Sequence, residues 1–319
     1  MTDDRSWDTE PVDPMETHLV AARFQLALGN HAGAVLALRR VLGSDPEHEA
    51  AHALLSSALL GQGRLHAAEH EARAALAVNP DSVAGRIALG WALLGGKQLE
   101  AARKAFEEAL GLDPSSSAPL HGLAHLAGLR GQRDEKRQLL ERAIAVDPED
   151  EDLIVVLGHL HLQAGALAEA HRCLEAAAAI APDASAVLLL RGHVALREGR
   201  VDEARELAVW ALQSGVDQRE ALELLGMVRA RQSWLIGLWW RYAVWMQARG
   251  DRGQIVVLLC GWLVFRLVEL GLEQAGFPGA ATAASTTWLA FCVYSWVGPS
   301  LFARALKKEL EQVRLRDAF

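Results

Sequence analysis

Proline recurs at Pro46, Pro80, Pro114, Pro148 and Pro182, each 34 residues after the last, and four of the five follow an Asp or Asn. A chain with such a period is a stack of one repeated unit. Glycine keeps the same register at Gly29, Gly63, Gly131, Gly165 and Gly199, with Lys97 at the one missing place. Alanine does so at Ala34, Ala68, Ala102, Ala170 and Ala204, with Lys136 as its exception. Between these markers apolar residues return at helical spacing, as in Leu153, Leu157 and Leu160 and then Ala170, Leu174 and Ala177, so each period holds two amphipathic helices. Glycine marks the end of the first helix, because it accepts the positive φ that reverses the chain, and proline marks the end of the second, which it cannot continue. The fold class is therefore all-α.

This pattern resembles the tetratricopeptide repeat, a 34-residue helix–turn–helix that stacks into a right-handed solenoid. With the prolines at repeat position 32, repeats start at Met15, Glu49, Val83, Ser117, Glu151 and Ser185. The family's Leu-Gly pair at positions 7 and 8 stands as Leu89-Gly90 and Leu157-Gly158, and its aromatic at position 24 as Phe106, with Leu38, Leu140 and Leu174 in other repeats. Leu225-Gly226 repeats the pair, which predicts a seventh first helix from Arg219. The expected solenoid covers 15–232, six repeats and a capping helix, after an acidic disordered arm at 1–14.

The resemblance implies a binding scaffold whose first helices line a concave groove at positions 2, 5, 9 and 12. Position 9 reads Arg23, Ser57, Trp91, His125, His159, His193 and Met227; position 5 includes Leu19, Ile87, His121, Val155 and Leu189. Position 12 is leucine at 26, 60, 94, 162 and 196 and glycine at Gly128. These residues form the expected partner-binding groove, mainly apolar with imidazoles along its second half, and suited to an apolar or amphipathic protein or peptide ligand.

Other chemistries are poorly served. His48-Glu49-Ala50-Ala51-His52 matches the pattern in which two histidines one turn apart hold zinc beside a glutamate base, which makes a membrane zinc metallopeptidase the alternative reading. The string begins beside the Pro46 turn and straddles two repeats, so no catalytic site, metal or cofactor is expected there. Cys173, Cys260 and Cys292 have neither disulfide-framework nor zinc spacing. The chain's net charge of −8 divides into +5 over residues 229–319 and −13 over residues 1–228, which opposes a nucleic-acid partner.

After Ser233 the composition changes, with seven of the ten tryptophans in this last part. Runs at 255–272 and 280–302 are each apolar over a length that can span, or nearly span, a bilayer core, the first interrupted only by Arg266 and Glu269 and the second without any charge. Arginine and lysine flank the pair on both sides and are absent from the turn between them. The sequence thus predicts an interfacial Trp/Arg-rich helix at 233–253, a two-span transmembrane hairpin at 254–303 and a basic amphipathic tail at 304–319. It places the chain in the inner (cytoplasmic) membrane as a multi-pass protein, with repeats and C-terminus in the cytoplasm and the lipid bilayer as a second partner. The expected function is a membrane-anchored adaptor, or else a structural subunit of a larger membrane complex contacting other spans through Arg266 and Glu269. The excess of arginine over lysine points to a bacterial source.

Overall fold

The computed structural model describes residues 14–214, 218–232 and 262–272, with isolated positions at 274, 279, 282, 285, 286, 288 and 289. It falls into two units, Met1–Val187 and Leu188–Phe319. The first holds α1 (Pro14–Ala27), α2 (His31–Ser44), α3 (Glu49–Gly61), α4 (Leu65–Val78), α5 (Val83–Gly95), α6 (Leu99–Leu112), α7 (Ser117–Leu129), α8 (Arg133–Val146), α9 (Glu151–Ala164), α10 (Leu167–Ile180) and the opening of α11 (Ser185–Arg197). The second holds the rest of α11 with α12 (Val201–Ser214) and α13 (Gln218–Gln232). In the first unit odd and even helices pair into hairpins, and successive hairpins stack. Helices α3, α5, α7, α9 and α11 begin on the residues that open the repeats. Pro14, expected in the arm, instead opens α1, where its missing N–H costs nothing.

The proline turns share one construction. The residue before three of the prolines, Asp45, Asn79 or Asp113, is extended, because proline excludes the helical region at the preceding position. Its side-chain oxygen then accepts the N–H two residues on, from Glu47, Asp81 and Ser115 at 3.2, 3.1 and 3.0 Å. This explains why Asp or Asn precedes most of the prolines: the side chain replaces a backbone acceptor in the turn. The next helix is capped by His48, Ser82 or Asp150, each accepting an N–H three residues ahead.

The core is built on small residues. The alanines of the 34-residue comb are all fully buried, and they let the paired helices approach closely. Phe106 is fully buried between α5 and α7. A Cβ added at Gly90 would lie 2.6 Å from its ring, and one at Gly122 2.5 Å. Both glycines are thus small because the phenyl ring fills the space on either side. In other repeats Leu38, Leu140 and Leu174 occupy the equivalent core position. In the second unit Ala204, Ala208, Ala211, Leu224 and Leu225 form a separate core, and Leu224 presses on Gly192 in the same way.

The inner-membrane, multi-pass placement is overturned. Among the described residues no helix is long and apolar enough to cross a membrane. The helical stretch 262–272 lies within the expected first span. It also carries an ion pair, with Arg266 Nη1 donating to Glu269 Oε2 at 2.6 Å, and Ser285 Oγ donates to the same carboxylate at 2.8 Å. Apart from the isolated positions named above, the remainder of the expected hairpin lies outside the described residues, as do the helix expected at 233–253, the tail at 304–319 and the arm at 1–13.

Two stability results follow from this packing. Lys97 adopts φ 61° where the other repeats have glycine, a left-handed conformation that costs a side-chain-bearing residue about 1–2 kcal/mol. Lys97→Gly should raise the urea midpoint, and Gly63→Ala, at φ 72° with open space around the added methyl, should lower it by a similar amount. Phe106→Ala should cost about 3–5 kcal/mol, measured by the same denaturation, far more than a change at an exposed outer-helix residue such as His66.

Candidate partner-binding groove

The odd-numbered helices of the first unit carry most of the expected groove residues. Arg23 on α1, Ser57 on α3 and His125 on α7 are exposed; Leu19, Ile87, Trp91, His121 and His159 are half-buried. Val155 on α9 is buried at 5% exposure, and so is Leu189 of the second unit at 0%. Those two therefore belong to the core in this structure and offer no surface to a ligand. In the second unit His193 Nε2 stands 3.6 Å from Glu220 Oε1 of α13, and Met227 is half-buried against the α12–α13 core.

Trp91 organises the groove. Its ring meets the buried Phe106 edge-to-face at 5.4 Å between centroids, and it meets His121 at 5.6 Å and His125 at 5.7 Å in the same geometry. Such contacts place the positive edge of one ring on the electron-rich face of another. The indole is thus fixed from below by the core and flanked on α7 by two imidazoles one turn apart. Trp91, His121 and His125, all expected groove residues, come together here.

The packing of these imidazoles favours their neutral form. Desolvation pushes His121 below the ordinary histidine value, opposed by the charge of Asp150 and assisted by His125 and Lys136. His125 is lowered by desolvation and then by Lys136. Lys136 on α8 is itself lowered by desolvation. Neutral imidazoles beside an indole present hydrogen-bonding and aromatic surface rather than charge.

Sequence reasoning did not place Lys136 here. It stands out only as the exception in the alanine comb, and its connection to the groove becomes visible through Gly128. A Cβ at Gly128 would lie 3.2 Å from Lys136 Cδ. The signal available in the sequence is that both departures, at positions 12 and 20, occur in the same repeat.

The zinc-like string is occupied by structural bonds. His48 Nδ1 caps α3 by accepting from the Ala51 N–H at 3.3 Å. Glu49 accepts from Asn79 Nδ2 at 3.1 Å and from Ser82 Oγ, tying the start of its repeat to the turn that ends it. His52 has Glu71 Oε2 at 2.7 Å from Nδ1 and the Pro46 carbonyl at 2.9 Å from Nε2. The side chains a metalloprotease would need are thus engaged in caps and turns.

Tetratricopeptide repeat family profiles match residues 19–69, 53–117 and 189–233, and a second one matches 130–192. The chain belongs to the tetratricopeptide repeat family. Among solved structures, a thermophilic tetratricopeptide repeat protein of Thermus thermophilus is 23% identical, with a TM-score of 0.52 over 57% of this chain and 97% of that one. The APC/C hetero-tetramer Cut9-Hcn1 gives a TM-score of 0.62 at 18% identity, over 92% of this chain and 57% of that one. PilW, described as a widely conserved type IV pilus biogenesis factor, gives 0.50 at 20% identity over 67% and 100%. These likenesses are of fold. A comparison with curated proteins finds no match. Tetratricopeptide repeat proteins bind protein partners.

The lowered histidines make stability depend on pH. Because His121 and His125 take up protons less readily when folded, the unfolded chain binds more protons below about pH 6.5 and stability falls on acidification. The loss begins near the ordinary histidine value and levels off below the folded one. Replacing both with glutamine should flatten the change in unfolding midpoint between about pH 7.5 and 5.5, measured by circular dichroism against the unaltered protein.

Proposed function

We propose that this protein is a non-catalytic scaffold that captures a protein or peptide ligand in the groove of its first unit, with Trp91 as the central anchor. The observation that carries this reading is the aromatic cluster itself. Trp91 is held edge-on by Phe106, His121 and His125 and is still only half-buried. A rigid aromatic surrounded by neutral polar rings loses little conformational entropy on binding and contributes strongly to affinity. Leu19, Arg23, Ser57, Ile87 and His159 extend the surface along neighbouring helices, and membership of the family supports the role. Enzymatic readings gain nothing from the site, since the residues that resemble a catalytic motif serve as caps and turn ligands.

Partners crosslinked in a native extract and identified by mass spectrometry provide the assay. Trp91→Ala combined with His125→Ala and His159→Ala should weaken their binding by about 2 kcal/mol or more, roughly thirtyfold. His66→Ala with His70→Ala, both exposed on the outer helix α4, should leave it unchanged. Equal binding by the groove variant, with helicity retained, would place the interface elsewhere.

A further inference from the structure

The fourth repeat departs from the others at two positions that meet in space. Position 12 is leucine in five repeats and glycine at Gly128; position 20 is alanine in five repeats and lysine at Lys136. Elsewhere the alanine is fully buried beneath the first helix. Here the lysine stem lies where a side chain at position 128 would begin, with Cδ 3.2 Å and Nζ 3.6 Å from the Cβ that Gly128 lacks. The two exchanges are one event: leucine's volume is given up on α7 and refilled from α8 by an aliphatic stem that ends in an ammonium. Gly128 is exposed, so no side chain there covers the ammonium, and the lysine's charge helps to lower His125 on the same helix.

That ammonium has no carboxylate partner among the described residues. The acids beside it on α8 are committed, Asp134 to Arg137 at 3.6 Å and Glu135 to Arg103 at 3.3 Å. Asp150, which caps α9, accepts the Leu153 N–H at 3.1 Å. A half-buried cation without a counter-charge is costly to the free protein, and an arriving anion relieves that cost.

Resting on the groove reading above, we propose that Lys136, reached through the gap at Gly128, is a carboxylate-accepting subsite that selects peptide ligands carrying an Asp or Glu side chain beside the apolar residue packed on Trp91. The occupant is a single carboxylate. One ammonium supplies one charge, and the −13 carried by residues 1–228 repels a polyanion such as a nucleic acid. The neighbouring imidazoles are neutral donors and acceptors that orient the peptide without adding charge.

The volume exchange is tested first. Gly128→Leu and Lys136→Ala should each destabilise the full chain, whereas the double variant, which restores the pair found in five repeats, should be at least as stable as the starting protein. Additive losses would show that the two positions are independent and overturn the premise. The subsite is then tested by selection from a random dodecapeptide library, displayed with no free C-terminus, against the full chain and the double variant. The expected result is enrichment of peptides pairing an aromatic or aliphatic residue with Asp or Glu on the unaltered protein only. Selected peptides should bind the double variant about fivefold more weakly, the factor expected of a half-exposed ion pair, and their Glu→Gln forms should bind both proteins alike. Binders that lack acidic residues but lose affinity on Trp91→Ala would overturn the subsite and leave the groove. Binders indifferent to both changes, or no binders, would overturn both readings.

Discussion

The close approach of paired helices over small residues is the constraint on which everything else in this chain depends. A buried alanine at the same place in five of the hairpins sets how near the second helix comes to the first. Where the third repeat has a phenylalanine in its core, the neighbours on both sides are reduced to glycine so that the ring fits between successive hairpins. Interiors packed to crystal-like density transmit such choices directly. Trp91 stands edge-on against that same ring, so the groove inherits its rigidity from the core. The candidate groove is the outer end of a packing arrangement and was not added to it.

Much of this is legible in the amino-acid sequence because a solenoid repeats its own evidence. The starts of five helices coincide with residues that open the 34-residue units, and Lys97 takes the positive φ that its place in the glycine comb requires. Periodicity conveys register well, because register is a property of the backbone. It conveys exposure poorly. Position 5 is half-buried at Ile87 and covered at Val155 and Leu189, because coverage depends on the neighbouring helices and not on the position number.

The membrane expectation shows a different limit. Hydropathy counts apolar residues along a chain, and the runs after Ser233 are rich in them. Among the described residues no helix is long and apolar enough to span, and Glu269 is tied to both Arg266 and Ser285. Composition suggests a solvent for a segment, but length of continuous helix decides whether it can span one. Lys136 escapes the sequence reading for a related reason: a single exception in a pattern looks like noise until a second exception is found touching it.

The proline turns with their Asp or Asn side chains close using only residues within reach along the chain, at 3.0–3.2 Å. Packing in the first unit likewise runs from one hairpin to the next. A growing chain therefore never waits for its far end: once two hairpins have left the ribosome, the first has every neighbour it will have within the stack. Synthesis from the N-terminus and assembly of the stack proceed in the same order, and the incomplete product exposes a single hairpin face at a time.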